Sequence, residues 1–301
     1  MSIIRPWTEP AGRIRTLSVS LGTGSASASV ATADSVFRRA SGDDAHAGFL
    51  VVNADDWGRN RSTTAAILNC TLRGAASSVS AMVFMEDSER AAVIAQEREI
   101  DAGLHLNLTT SFSASRCNAK LVKYQEELAR HLLRGRFAQT VFHPGLIRSF
   151  EYVVRTQLDE FRRLYQKDPD RVDGHHHMHL CVNVLLGGLL PSGIVVRRNC
   201  SFMRGEKSYA NILYRQAVDF FLERKHLLAD YFFELPPIEP RRLQRIFGLA
   251  RRHVVELETH PANPEEYKFL MEGEIGRLAG DIAIAPHFVA PQRGLERRGH
   301  S

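Results

Sequence analysis

Four histidines lie within the five residues from His175 to His179, directly after Asp173 and Gly174. Imidazole nitrogen is the commonest side-chain ligand for catalytic divalent metals, and neighbouring imidazoles repel one another when they are protonated. A bound metal would offset that repulsion. A solvated histidine-rich loop is the alternative, but the cluster is internal to the chain and is therefore not a terminal tag. The spacing predicts a metal site.

Not all four histidines can bind one metal, because a catalytic site typically has about three protein ligands and at least one open position. In an extended segment His175, His177 and His179 share one side, whereas in a helix only His175 and His179 share a face. We assign His175 as the ligand. His177 and His179 remain candidates for supporting that ligand or contacting a substrate, and the sequence does not decide which of these and His176 reaches the site.

Two adjacent carboxylates, Asp55 and Asp56, follow the apolar run 49–53. Neighbouring negative charges repel each other, and burial penalises both, so a cation would offset both costs. Adjacent side chains leave an extended backbone on opposite faces, so one carboxylate can bind a metal while the other turns toward the substrate or its water. The alternative is a turn or helix cap, since aspartate is common in loops and Gly58 follows closely.

Two more histidines follow apolar strand-like runs. His105 and Asn107 share one face of a predicted strand whose other face carries leucines. His260 precedes Pro261 and follows the predicted strand at 254–258. An imidazole titrates near neutral pH, so His260 could protonate a leaving amine. The alternatives are a structural hydrogen bond for His105 and an exposed turn position for His260.

The elements that must position these residues alternate between strands and helices. We predict strands at 49–53, 77–85, 102–108, 171–173, 194–197, 231–234 and 254–258, with a further candidate at 282–285, and helices at 62–72, 88–96, 121–133, 151–166, 208–224, 241–251 and 264–272. Seven or eight βα units favour a TIM-barrel-like (β/α) barrel of parallel strands with outer helices. Chemistry in such barrels gathers at the carboxyl ends of the strands, where all the candidate residues fall.

The chain is predicted to have one domain and an N-terminal extension. Residues 17–34 are rich in Ser, Ala, Thr and Gly without periodicity, so we predict a disordered extension over 1–47 and a single domain over 48–301. The segment 110–149 is long for a βα connection, and we predict that it forms a lid or a wall of a substrate groove.

Composition narrows the class of protein. The net charge of +5 is spread through pairs such as Arg197-Arg198 and Arg251-Arg252, which is typical of a solvated surface, so we expect no nucleic-acid partner. The four cysteines show no zinc-finger spacing and are predicted to be reduced thiols. No apolar run approaches the roughly 20 residues of a membrane span. We expect a cytoplasmic protein, and a homodimer is compatible with the sequence.

Four motifs in order resemble the YdjC family of carbohydrate deacetylases. They are NADDWG at 53–58, GLHLNL at 103–108, DGHHHMH at 173–179 and ELETHP at 256–261. Each motif alone is weak, but the ordered set is specific. Two positions depart from the family pattern: Trp57 stands where phenylalanine is usual, and Ala262 where glycine is usual.

The resemblance implies a barrel-like fold and a divalent metal, usually Mg²⁺ with Zn²⁺ as an alternative, held by Asp56, His105 and His175. It further implies that Asp55 is the base that activates water and that His260 is an acid or a transition-state partner. The expected function is hydrolysis of an N-acetyl group from a small acetylated sugar, an oligosaccharide or a glycolipid, with release of acetate.

Two alternatives remain open. One is a metal-dependent hydrolase of another amide, an ester or a phosphate on the same fold, because a fold does not determine a function. The other is a sugar-binding relative without turnover. Asp55 and His260 favour an enzyme, since metal binding alone would not require them.

Overall fold

The computed structural model describes residues 48–135, 137–201 and 209–290, without the side chain of Ala210. The predicted extension at 1–47 lies outside the described residues. Within them, seven strands form one sheet in which every pair is parallel. The strands are β1 (Phe49–Trp57), β2 (Ser78–Ala81), β3 (Ala102–Leu106), β4 (Arg171–Gly174), β5 (Val195–Val196), β6 (Tyr231–Glu234) and β7 (Val254–Thr259).

The strand order is β5-β4-β3-β2-β1-β7-β6, which follows the chain around a barrel with the opening between β5 and β6. Isolated backbone hydrogen bonds reach across this side: the Leu227 amide donates to the Ile194 carbonyl, and the Ser201 amide donates to the Phe232 carbonyl. The predicted barrel-like α/β fold is confirmed. The candidate strand at 282–285 forms a single bridge between Ile284 and Leu50 and adds no eighth strand among the described residues.

Helices cover the outside of the sheet. They are α1 (Arg61–Leu72), α2 (Ser88–Glu97), α3 (Ala119–Leu132), α4 (Ile147–Tyr165), α5 (Val182–Gly187), α6 (Tyr209–Glu223), α7 (Pro240–Leu249), α8 (Pro264–Met271) and α9 (Glu274–Ala279). Asn60 and Asn118 cap α1 and α3 by accepting backbone N–H bonds through their side chains, which satisfies donors that a helix start leaves free. None of the helices in the described part of the chain has the length and apolar character that a membrane span needs.

The end of β1 departs from the regular extended backbone that the sequence predicts. The register between β1 and β2 shifts between Ala54 and Trp57, and Asp56 has a φ of 71°. A bulge of this kind changes the direction of the side chains that follow it. Asp55 and Asp56 therefore do not point to opposite faces, and both approach the same imidazole, that of His105.

The histidine cluster is neither a regular strand nor a regular helix. Residues His175–Leu180 form a 3-10 segment interrupted by His176 and His177, whose φ angles are 55° and 58°. Two consecutive left-handed residues separate the directions of neighbouring side chains. This geometry explains why neither pattern of shared faces that the sequence suggests is present.

Candidate active site

Asp56, His105 and His175 meet at the carboxyl ends of β1, β3 and β4. Asp56 Oδ1 lies 3.5 Å from His105 Nε2 and 3.1 Å from His175 Nδ1. All three residues are buried, and their ligand atoms lie within 4.8 Å of one another. The structure thus brings together the three residues that the sequence predicts as metal ligands.

The unpartnered atoms of this trio fit a cation. Asp56 Oδ1, His105 Nε2 and His175 Nε2 are buried and form no hydrogen bond. A buried polar atom without a partner costs free energy, and a bound metal would remove that cost. Burial raises the pKa of the Asp56 carboxyl, but its contacts with His105 and His175 more than offset this and hold it well below its usual range. Asp56 is therefore ionised, as a metal ligand must be.

His105 is oriented by a second carboxylate. Its Nδ1 lies 2.7 Å from Asp173 Oδ1, while Asp173 Oδ2 accepts a hydrogen bond from the Ser80 hydroxyl. A carboxylate on one imidazole nitrogen places the proton there and leaves the other nitrogen free to bind a metal. Burial lowers the pKa of the His105 imidazole, but Asp55 and Asp173 raise it well above the usual value. The same negative field attracts a divalent cation, which competes with the proton.

Asp55 is held beside this trio by three hydrogen bonds. Arg197 donates Nη1 to Asp55 Oδ2 at 2.7 Å and Nη2 to Asp55 Oδ1 at 2.8 Å, and the Asn53 amide donates to Oδ1 at 2.7 Å. Burial alone would raise the pKa of the Asp55 carboxyl, but the Arg197 guanidinium and the His105 imidazole hold it well below its usual range. Asp55 is therefore an ionised carboxylate with a fixed orientation.

Arg197 lies at this centre, although the sequence does not identify it as a site residue. The sequence predicts the pair Arg197-Arg198 to be dispersed surface charge, and for Arg197 this is wrong, because its side chain is only 1% exposed. Besides Asp55, it contacts Glu256 through Nε at 2.7 Å, Glu258 through Nη1 at 3.4 Å and Asp173 through Nη2 at 3.1 Å. One guanidinium thus joins four buried carboxylates.

His260 lies at the solvent side of the same group. Its Nε2 is 3.7 Å from Glu258 Oε1, its side chain is 38% exposed, and its backbone N–H donates to Glu266 Oε2 at 2.8 Å. Ligand atoms of Asp55, Glu258 and His260 lie within 4.8 Å of one another. The structure therefore brings His260 to the site, close to Asp55 and open to a substrate from solvent.

The remaining histidines of the cluster have different surroundings. His176 Nδ1 lies 3.0 Å from the Thr109 hydroxyl, and His177 Nε2 lies 3.5 Å from Glu234 Oε1. Both line a cavity of about 650 Å³, together with Gln139 and Thr140 from the segment 110–149.

His179 is fully buried, with Nε2 2.9 Å from the Arg197 carbonyl. His179 is therefore a structural residue, and His176 and His177 face the cavity.

We expect His179 to make the fold sensitive to acid. Burial lowers the pKa of its imidazole to about 3, whereas an unfolded histidine titrates at about 6.5. Below about 6.5 the unfolded chain binds a proton that the native chain does not, so stability is lost as pH falls. Between pH 6.5 and pH 5 this one group should remove about 2 kcal/mol of unfolding free energy. Urea unfolding of wild type and His179→Gln at both pH values measures it.

A matched substitution separates His179 from other histidines. His287→Gln removes an imidazole that is exposed to solvent and should leave the pH dependence unchanged. An identical loss of stability in wild type and His179→Gln between the two pH values would contradict the prediction.

Comparisons with known proteins agree with the motifs and the fold. The family model described as YdjC-like protein matches residues 49–281. A carbohydrate deacetylase of Mus musculus is 33% identical over 137 residues, covering 45% of this chain and 44% of that protein. A chitooligosaccharide deacetylase of Proteus mirabilis is 30% identical over 134 residues, covering 44% of this chain and 50% of that protein. The chain thus spans about half the length of these two relatives.

A solved structure supports the fold. The crystal structure of an Enterococcus faecalis protein named for cellobiose-phosphate cleavage superposes with a TM-score of 0.54 at 18% identity, covering 79% of this chain and 95% of that one. At this identity the likeness concerns the fold alone. The family match, by contrast, extends over most of the chain and includes all four motifs. This protein belongs to the YdjC-like family.

Proposed function

We propose that this protein is a metal-dependent carbohydrate N-deacetylase, which hydrolyses the acetamide of an acetylated sugar or glycoconjugate. The observation that carries the proposal is the convergence of buried ligand atoms of Asp56, His105 and His175, among them the unpartnered Asp56 Oδ1 and His105 Nε2, beside the ionised carboxylate of Asp55. Several relatives are named carbohydrate or chitooligosaccharide deacetylases, which supports the substrate class.

In the proposed reaction, Asp56, His105 and His175 hold a divalent metal, with Mg²⁺ as the first choice and Zn²⁺ as the alternative. When bound, the metal supplies Lewis acidity toward water and toward the acetamide carbonyl. Asp173 keeps the Nε2 lone pair of His105 available by holding the proton on Nδ1. With three protein ligands, such a site would keep a position open for water or substrate.

Asp55 is the proposed proton acceptor for the attacking water. It is ionised, and Asn53 and Arg197 fix its orientation. Their three hydrogen bonds lower its basicity, so Asp55 acts by position and charge as the proton leaves the water. Its place beside Asp56 in the chain keeps it next to the metal ligands.

His260 is the proposed proton donor to the departing amine. Its imidazole is partly exposed, and its Nε2 lies 3.7 Å from Glu258 Oε1, so it is open to a substrate while it stays close to Asp55. The proton that Asp55 accepts and the one that His260 donates balance the reaction, which yields acetate and a free amino sugar.

Removing either imidazole ligand should empty the site. We expect His105→Ala and His175→Ala to lose the one equivalent of metal that Asp56, His105 and His175 would hold, because each variant leaves two protein ligands where about three are typical. Metal analysis of the purified proteins measures this. His253→Ala removes an imidazole far from the trio in sequence and should leave the metal content unchanged; retention of full metal content by His105→Ala would contradict the assignment.

The proposed substrate class is tested by acetate release from a panel of N-acetylated monosaccharides, chito-oligosaccharides and glycolipids. The expected result is release from at least one of them by the metal-loaded protein. Esters and phosphate esters of the same sugars serve as the comparison. Hydrolysis of those compounds, without any acetate from the acetamides, would replace the deacetylase with another hydrolase.

A further inference from the structure

A second group of candidate ligands lies outside the trio of Asp56, His105 and His175. His177 Nε2 is 3.5 Å from Glu234 Oε1 and 3.7 Å from Glu258 Oε2. All three ligand atoms lie within 4.8 Å of one another. Around a tetrahedral ion with bonds near 2.1 Å, ligand atoms are roughly 3.4 Å apart. The group is therefore close to the geometry of a metal site.

Glu258 provides an independent indication that a cation is needed. Its Oε2 is buried and has no hydrogen-bond partner, although the residue is only 4% exposed. This oxygen is directed at His177, while Oε1 lies near Arg197 and His260. A buried carboxylate oxygen without a donor is costly, so it indicates a ligand that the protein's own side chains do not supply.

The charges around Glu258 also favour a bound cation. Arg197 contacts four buried carboxylates, those of Asp55, Asp173, Glu256 and Glu258, with one positive charge. A metal on Asp56 would offset the negative charge of the neighbouring Asp55, but it would not contact Glu258. Glu258 therefore shares the one charge of Arg197 with three other carboxylates.

The group is accessible from solvent. His177 is 34% exposed and Glu234 is 50% exposed, and both line the cavity of about 650 Å³. His177 has a left-handed backbone with a φ of 58°, which is uncommon for a residue other than glycine. A hydrated ion can therefore approach the three ligands without passing the first site.

We propose that His177, Glu234 and Glu258 form a second divalent-cation site on the wall of this cavity, separate from Asp56, His105 and His175. One imidazole and two carboxylates suit Zn²⁺ or Mn²⁺. The open positions of the ion face the cavity, where oxygen atoms of a ligand can complete its coordination. Cation binding at this second site does not require the proposed deacetylation.

The test is Zn²⁺ stoichiometry in the untagged full chain, measured by equilibrium dialysis and metal analysis after chelator treatment. We expect two equivalents in wild type, one in Asp56→Asn, which keeps the second site, and one in His177→Gln, which keeps the first. Glu234→Gln changes a half-exposed residue and provides a second variant, also with one equivalent expected. Glu239→Gln removes another exposed acid that lines the cavity and should retain two.

Other outcomes of the Zn²⁺ measurement would contradict one site or both. A single equivalent in wild type that Asp56→Asn removes and His177→Gln keeps would overturn the second site and leave the first intact. A single equivalent with the opposite pattern would support the second site and overturn the metal ligands of the proposed deacetylase. No bound Zn²⁺ would overturn both, and two equivalents that His177→Gln and Glu234→Gln leave unchanged would overturn the second site.

Discussion

Asp55→Asn should lower the rate of acetate release by about 10²–10⁴-fold while metal content stays at the wild-type level. Asparagine keeps the size of the side chain but cannot accept a proton at neutral pH. The metal ligands Asp56, His105 and His175 are untouched by the change. Kinetics on the best substrate of the panel, together with metal analysis of the same sample, measure both effects.

Asp87→Asn is the matched control for this variant. Asp87 is also buried and contacts an arginine, Arg90, through both carboxylate oxygens, but it lies at the start of α2. We expect its acetate release to remain close to that of wild type. Asp55→Asn with undiminished acetate release would remove Asp55 from the mechanism, and loss of metal would instead make Asp55 a ligand.

Arg197→Met should destabilise the fold by about 3–5 kcal/mol, since it leaves buried carboxylates without their shared cation. Asp55, Asp173, Glu256 and Glu258 would then repel one another in a buried space. Urea unfolding at pH 7 measures the change. If Arg197→Met does not fold, Arg197→Lys retains the charge but loses the two-point contact with Asp55, and an intermediate loss is expected.

Arg251→Met is the surface counterpart. Arg251 also contacts one carboxylate, Asp281, through two nitrogens, but its side chain is 55% exposed. Solvent and salt screen an exposed ion pair, so this variant should change stability little. Equal effects of the two methionine substitutions would contradict a special role for Arg197 at the buried centre.

The positions of the strands were largely predictable, because parallel strands covered on both faces leave continuous apolar runs. The prediction for 231–234 matches β6 at both ends, and those for β1 and β7 begin at the observed residues but end before Trp57 and Thr259. The short helices α5 and α9 were not predicted. With six residues each, they are too short to show a helical period of apolar positions.

The residues of the candidate site were easier to predict than their geometry. Asp55, Asp56, His105, His175 and His260 were identified from residue type and from their place after apolar runs. The bulge at Asp56 depends on the register between β1 and β2, which no local pattern specifies. Arg197 could have been found by the same reasoning as the histidines, since it directly follows β5.

The most direct test of the central claim is acetate release from an N-acetylated sugar by the same preparation before chelation, after chelation and after reloading with one divalent metal. We expect release to disappear with the metal and to return with it in wild type, and to stay absent in reloaded Asp56→Asn. Equal acetate release from the chelated and the reloaded wild-type protein would contradict a metal-dependent deacetylase built on Asp56, His105 and His175.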